Sequence, residues 1–374
     1  MLGSGVPWES SIDTPLPSEA RHQLDTHHEL PTRRHRMLAI HRSSSLKPLS
    51  NAQSNSLGKE PSFYSEDIDK YALIDQQPVT LQSLLQICEP PLTEKKLLDN
   101  AQFLSRERPV RYAKRVKLFQ RLPYIVNLNP YINSVYRVYY ENFEESRRFP
   151  MVESLADEHE FIKMLARHSQ TLKDIMPQIA RGFYECRRYF GTEDRKRFVD
   201  QLIKMRIGLR LLTSQHIALY DQLRKTHSSI PPNQEEPDEQ EPGRYQGIVD
   251  NKLHLPDMAR VCAQSVQAMC EMSYGDAPSF TVDGCTDAIF RYIPGHLDYM
   301  LTELLKNAFK SSMDRSLEQD GKVPPVLITI SKGNGRVAIR IRDSGGGIPR
   351  EIHSKIFDYS FTTTQRDSTD DNGT

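Results

Sequence analysis

A carboxylate and a carboxamide stand four residues apart at Glu303 and Asn307. In a helix this spacing places both side chains on one face, where an amide oxygen can ligate Mg²⁺ and a carboxylate can accept a proton from an attacking hydroxyl. Lys310 lies three residues further on and shares that face. The simpler interpretation is a solvated polar face, but asparagine is a poor helix former and argues against it.

A second chemical feature is Asp343, which ends an alternating apolar run and is followed closely by three glycines, Gly345–Gly347. A carboxylate beside bare backbone suits an adenine amino group next to phosphates. The simpler interpretation is a flexible turn. A β run precedes this turn and residues 348–349 begin a helix-like segment, so we expect it at a sheet edge. Together with Glu303 and Asn307, it predicts a nucleotide site.

The sequence around these residues predicts helices and strands that together form an α+β domain. A helix is expected from Pro294 to about residue 317, with one apolar stripe facing a sheet. The stripe contains Leu297, Met300, Leu301, Leu304, Leu305 and Ala308. The other expected elements are a helix at about 256–272 and β runs at 279–283, 288–292, 326–331 and 337–342. A Gly-Asn-Gly turn at 333–335 predicts a hairpin, within a mixed or antiparallel sheet.

Residues 80 to 225 differ, because their apolar positions recur at helical spacing over several segments. This pattern predicts an antiparallel helical bundle, an architecture that commonly scaffolds, dimerises or binds partners. One stripe within 195–223 contains Phe198, Leu202, Met205, Leu209, Leu212 and His216. The stretch 158–190 covers more than one helix, with Pro177 near a boundary or kink.

Composition sets the class of protein. The 374 residues give room for two ordinary domains. Because 49 basic residues balance 49 acidic ones, no global field favours nucleic acid or an anionic membrane. No apolar run approaches the roughly 18 residues of a spanning helix. The five cysteines form no CxxC pair, so neither a zinc site nor a disulfide framework is expected.

Four segments are expected along the chain. Residues 1–75 are expected to be disordered, and the acid-free, Arg- and Ser-rich part after Glu29 favours an organelle transit peptide with Met37 as a candidate start. A disordered tail without an address is the alternative. Residues 76–227 form the bundle, and the proline-rich, acidic stretch 228–247 is a linker or insertion. Residues 248–374 contain the nucleotide site.

These residues carry a resemblance to known proteins. Residues 303–310 resemble the N box, and residues 343–348 the G1 box, of the ATPase superfamily of gyrase, heat-shock chaperones, histidine kinases and MutL. More narrowly, the chain is similar to the mitochondrial kinases of the pyruvate and branched-chain 2-oxoacid dehydrogenase complexes. That similarity covers roughly residues 75 to 365 and includes the segments 206–216, 274–278 and 357–363.

The resemblance implies ATP and Mg²⁺ as cofactors. It makes Glu303 the general base, Asn307 the Mg²⁺ ligand and Asp343 the adenine contact. The nucleotide-binding set that it implies comprises Glu303, Lys306, Asn307, Lys310, Asp343, Gly345, Gly347, Thr362 and Thr363.

The implied activity is that of a serine kinase in the mitochondrial matrix, which inactivates the decarboxylase component of a 2-oxoacid dehydrogenase complex. The bundle would dock the lipoyl-bearing core of that complex and help form a homodimer, or a heterodimer with a related kinase. The implied fold is this bundle followed by an α+β ATP-binding domain of the gyrase, chaperone, histidine-kinase and MutL type.

Some positions depart from the family pattern. Lys310 stands where members commonly have arginine, and Tyr299 is the residue typical of branched-chain kinases.

The sequence ends at Thr374, before the second glycine-rich box that the resemblance leads us to expect, so an incomplete ATP-binding domain is expected. An inactive relative that acts as a binding or dimerisation module is therefore an alternative. A two-component histidine kinase is a less favoured alternative, because a lone helical histidine such as His216 is more often packed in a protein core.

Overall fold

A computed structural model describes residues 65–87, 89–227, 243–319 and 323–358 of the chain. The described residues form two compact units, one made of the helices before residue 228 and one starting at residue 243. The expected transit peptide and most of the expected linker lie outside the described residues, as do Thr362 and Thr363.

The first unit is entirely helical in its described part. Its helices are α1 (Glu66–Leu73), α2 (Leu81–Ile87), α3 (Glu94–Gln120), α4 (Tyr124–Asn127), α5 (Pro130–Arg148), α6 (Leu155–Thr171), α7 (Ile175–Glu185) and α8 (Thr192–His227). Helix α3 is central, because it packs against α1, α5, α6 and α8. Among the described residues, no helix has the length and apolarity needed to span a membrane.

Local sequence explains where several of these helices begin. Thr93 accepts a hydrogen bond from the backbone at the start of α3, and Asn129 caps α5, whose first residue is Pro130. Ser154 and Asp157 form a reciprocal capping box at the start of α6. Each cap satisfies amide groups that a helix start leaves without partners.

The stripe predicted on α8 is confirmed in its main positions. Phe198, Leu202, Leu209, Leu212 and His216 are all buried, and Met205 packs against the same core while partly exposed. Aromatic rings from α3, α7 and α8 meet edge to face in this core. Phe198 lies 5.1 Å from Phe119 and 5.2 Å from Phe183 between ring centroids. The bundle core is therefore assembled from helices far apart in sequence.

Two expected segment boundaries need correction. The range 1–75, predicted to be disordered, contains helix α1, whose Ile68 is fully buried and whose Tyr71 packs edge to face on Phe143. The second unit also begins before residue 248, because Tyr245–Gln246 pairs as a strand with residues 249–250. Helix α1 is stabilised by distant segments such as α3 and α5, whereas the strand at 245–246 is stabilised by pairing with the residues that follow it.

The second unit contains two helices and six strands in its described part. These are β1 (Tyr245–Gln246), β2 (Val249–His254), α9 (Leu255–Tyr274), β3 (Phe280–Gly284), β4 (Ile289–Tyr292), α10 (Pro294–Gln319), β5 (Val326–Gly333) and β6 (Arg336–Arg342). One sheet has the antiparallel order β1-β2-β4. The other has the order β3-β5-β6, with β3 parallel to β5 and β6 antiparallel to it. The mixed α+β architecture is confirmed, although two small sheets replace the single sheet expected.

The buried face of helix α10 is rotated around the helix axis from the one predicted. Leu297, Leu301, Leu305 and Ala308 are buried among residues of α9, β3 and β5, as expected. Met300 is 43% exposed and Leu304 is 56% exposed, so both lie off the buried stripe. Their inclusion was wrong, because the helix turns its buried face toward positions 309, 312 and 313 instead.

The predicted hairpin joins β5 to β6. Gly333 pairs with Arg336, and the two residues between them, Asn334 and Gly335, have φ values of 45° and 71°. Positive φ at both central residues is the conformation of a two-residue turn that follows the twist of the strands. The helix-like segment expected from residue 348 is only a short 3-10 helix at Arg350–Ile352, which corrects that prediction.

Candidate nucleotide site

The polar face predicted on α10 is present. Glu303, Asn307 and Lys310 are partly buried, whereas Leu305 and Ala308 on the opposite side are buried in the core. Lys306 Nζ donates to Glu303 Oε1 over 2.8 Å, and the two side chains are 32% and 24% exposed. The carboxylate is therefore close to a cation and only partly open to solvent.

The second half of the site begins where β6 ends. Asp343 follows Arg342, the last residue of that strand, and its side chain is exposed. The backbone amide of Gly345 donates to Asp343 Oδ1 over 2.8 Å, which fixes the carboxylate at the mouth of the glycine loop, residues 343–347. Asp343 thus has a defined orientation and remains available to an external donor.

The glycine loop packs directly on α10. A Cβ atom added to Gly345 would lie 2.7 Å from the carbonyl carbon of Ser311, and one added to Gly346 would lie 2.7 Å from Arg315 Nη1. Ser311 is four residues beyond Asn307, so it lies on nearly the same side of the helix. The structure therefore brings the loop to the side of α10 that carries Asn307.

Two glycines in this loop are also required by backbone conformation. Gly346 and Gly347 have φ values of 92° and 80°, in the left-handed region that side chains rarely adopt. A Cβ added to Gly347 would meet no atom within 4 Å. Open space beside bare backbone is what close approach of a phosphate group requires.

These residues fit a Mg²⁺-nucleotide. An oriented, exposed carboxylate, a backbone cradle that admits no Cβ at Gly345, and a neighbouring amide oxygen together match the chemistry of adenine, phosphates and a hard cation. The sequence predicted most of this set. Thr362 and Thr363, the remaining predicted members, lie outside the described residues.

Sequence reasoning missed Ser311 and Arg315, which contact the glycine loop. A signal for them was present, since they stand four and eight residues after Asn307 and so continue its side of the helix. The sequence pattern does not predict that the glycine loop packs against the side of α10 that carries Asn307.

Tyr299 lies one turn before Glu303 on α10 and is partly buried. Burial, and then the nearby Glu303 carboxylate, raise the pKa of its hydroxyl. Tyr299 therefore stays protonated and can act only as a neutral neighbour of Glu303 at physiological pH.

His216 is not accessible for phosphate transfer. It is fully buried in the bundle, with Nε2 lying 2.6 Å from Glu158 Oε1 and Nδ1 lying 2.8 Å from Asn100 Nδ2. This packing agrees with the expectation that His216 is a structural residue and opposes a two-component phosphoacceptor.

Two family models match the chain. Residues 78–250 match the model described as mitochondrial branched-chain alpha-ketoacid dehydrogenase kinase, and residues 293–374 match the histidine kinase-, DNA gyrase B- and HSP90-like ATPase model. The first covers the bundle, and the second covers both halves of the site. Both matches make the chain similar to the mitochondrial 2-oxoacid dehydrogenase kinases.

Individual members of this kinase family are similar over most of the chain. A mitochondrial pyruvate dehydrogenase (acetyl-transferring) kinase of Arabidopsis thaliana is 29% identical, over 82% of this chain and 79% of its own length. Kinase 2 of Saccharomyces cerevisiae is 26% identical over 75% and 57% of the two chains. Human kinase isozyme 1 is 23% identical over 80% and 68%. These relatives are all named as protein kinases, and residues 293–374 of this chain match an ATPase domain.

Proposed function

We propose that this kinase transfers the γ-phosphate of ATP to a serine of the decarboxylase component of the pyruvate dehydrogenase complex, and thereby inactivates it, in the mitochondrial matrix. The observation that carries the proposal is the packing of the glycine loop on α10 beside Asn307, with Glu303 one turn away. The names of the similar proteins support the complex and the organelle.

Each site residue has a defined task in this proposal. Bound Mg²⁺-ATP supplies the phosphoryl group and the cation that neutralises its charge. Glu303 accepts the proton of the serine hydroxyl as its oxygen attacks, and Asn307 offers its amide oxygen to the metal. Asp343 accepts a hydrogen bond from the adenine amino group, while Lys310 adds positive charge near the phosphates. Catalysis consists mainly of positioning and charge neutralisation.

A branched-chain 2-oxoacid dehydrogenase complex is the second candidate target. The model that matches residues 78–250 carries the name of a branched-chain kinase, and Tyr299 agrees with that branch. The relatives described above are all named pyruvate dehydrogenase kinases. We therefore propose the pyruvate dehydrogenase complex as the first candidate target. Those names also favour a kinase over an inactive binding module.

For partner binding, we propose that the bundle docks the lipoyl-bearing core of the complex and helps form a dimer. The described bundle contains a cavity of about 1140 Å³ bordered by α2, α3 and the residues after α5. Its lining combines apolar residues such as Val79, Ile87 and Phe103 with polar ones such as Asp99 and Asn100. A cavity of this size and composition suits a long, largely apolar prosthetic arm with a polar linkage.

The test is transfer of labelled phosphate from ATP to purified pyruvate and branched-chain decarboxylase components. The wild-type chain should label the pyruvate component, and Glu303→Gln should lower the rate by at least about 100-fold, as expected when a general base is removed. Asp314→Asn is a matched control, because Asp314 is an exposed acid on the same helix.

Equal rates for wild type and Glu303→Gln would contradict the role of Glu303. Labelling of only the branched-chain component would move the assignment to that complex. Binding without labelling of either component would favour the non-catalytic module.

A further inference from the structure

Among the residues that the structure describes, Lys306 forms the one side-chain hydrogen bond of the proposed base. Its ammonium group lies 2.8 Å from Glu303 Oε1, three residues away on α10. Both side chains are at least two-thirds buried, so solvent screens this charged hydrogen bond less than it would on an open surface. Among the described residues, no hydrogen bond to Glu303 Oε2 is found.

The helix geometry separates Lys306 from the glycine loop. Ser311 marks the side of α10 on which the loop packs. With about 100° of rotation per residue, Asn307 lies roughly 40° from Ser311 around the helix, whereas Lys306 lies roughly 140° away. Glu303 lies between them, roughly 80° from Ser311 and 60° from Lys306. Lys306 thus contacts Glu303 on the side of α10 that faces away from the glycine loop.

We propose that Lys306 is a positioning residue for Glu303 rather than a nucleotide contact. This inference rests on the proposed phosphate transfer and replaces the role that the resemblance implied for Lys306. The ammonium group fixes Oε1, and this leaves Oε2 to receive the proton of the serine hydroxyl. Without Lys306, the Glu303 side chain would sample other rotamers and would seldom point at the hydroxyl.

The expected signature is a loss in kcat without a loss in nucleotide affinity. Lys306→Met keeps the length of the side chain and removes its charge. It should lower the rate of phosphate transfer about 10- to 100-fold, the range for loss of one charged hydrogen bond. The KM for ATP and the Kd for ADP should change less than about twofold. Lys306→Arg should retain most of the rate, because a guanidinium can still donate to the carboxylate.

A double-mutant cycle with Glu303→Gln isolates the coupling. Single-turnover transfer is measured for wild type, each single variant and the double variant. If Lys306 acts through Glu303, Lys306→Met should have almost no effect in the Glu303→Gln background. Lys332→Met is the charge-matched control, because Lys332 is an exposed lysine on β5. Far-ultraviolet circular dichroism of each variant checks that the fold is retained.

Three outcomes would overturn the inference. An equal loss in both backgrounds would show that Lys306 does not act through Glu303. A several-fold weaker Kd for ADP in Lys306→Met would restore the nucleotide-contact role. Absence of transfer by the wild-type chain would remove the proposed function as well, whereas the first two outcomes leave that function intact.

Discussion

At the scale of single residues, Gly345 shows how closely the glycine loop approaches α10. Its backbone amide is occupied by Asp343, and the space where a side chain would start is filled by Ser311. Because the nearest atoms include the Ser311 backbone, rotation of a side chain cannot relieve the clash. The residue type at 345 therefore sets the distance between the Asp343 carboxylate and the helix that carries Asn307.

We predict that Gly345→Ala weakens nucleotide binding. The added methyl group must push the loop away from Ser311, at a cost of about 1–3 kcal/mol, so the Kd for ADP should rise about 5- to 150-fold. Titration with a fluorescent nucleotide measures the change. Gly295→Ala is the control, because a Cβ added there meets no atom within 4 Å. Unchanged affinity in Gly345→Ala would show that the loop is not held against α10.

At the scale of elements, a buried polar cluster joins α3, α6 and α8. Asn100 Nδ2 is a donor only, so the contact at His216 Nδ1 places the imidazole proton on Nε2, which faces Glu158. Both His216 and Glu158 are fully buried. A buried carboxylate is tolerated only while its partner is present, so this cluster fixes the register of three helices.

We predict that His216→Ala destabilises the bundle by about 3–5 kcal/mol, because it leaves the Glu158 carboxylate buried without a partner. Equilibrium unfolding in urea, followed by circular dichroism, measures the loss. His159→Ala is a comparison on α6, where the imidazole contacts the Tyr220 hydroxyl in a partly buried site, and it should cost less. Similar losses in the two variants would contradict a special cost for the buried carboxylate.

At the scale of the whole molecule, pH dependence should come from a second buried histidine. Arg108 Nη2 donates to His168 Nδ1 over 2.8 Å, and His168 Nε2 lies 2.8 Å from Glu145 Oε2. Burial, with a further contribution from the Arg108 guanidinium, lowers the pKa of His168 to about 4. The hydrogen bond from His168, with Arg167 nearby, lowers the pKa of Glu145 to about 2.

We predict that the helical unit loses stability as the pH falls from about 6.5 to 4. In this range the unfolded chain protonates His168 while the folded chain does not, so protons favour unfolding by at most about 3 kcal/mol. Glu145 acts in the same direction between its ordinary pKa near 4.5 and about 2. Urea midpoints measured across this range should fall for wild type and change less for His168→Gln. Parallel curves for the two proteins would contradict the prediction.

The sequence predicted the order of helices and strands well, because caps, turns and apolar spacing act locally. The hairpin at Asn334-Gly335 and the stripe on α8 are examples in which local pattern and final structure agree. Prediction failed where distant contacts decide. Helix α1 is short and held by packing on α3, and Met300 and Leu304 are apolar yet exposed. Hydrophobicity alone does not tell which edge of a helix the core will cover.

For the candidate site, the sequence by itself determined its chemical groups: a carboxylate and an amide at helical spacing, and an acidic residue before three glycines. Only the tertiary structure decided how they meet. The absence of a side chain at Gly345 lets the loop rest on Ser311, and this contact joins β6 to α10. The structure also places the Lys306 ammonium group in contact with the Glu303 carboxylate, on the side of α10 away from the glycine loop. Spacing along a chain defines faces of a helix, but packing between elements defines what each face meets.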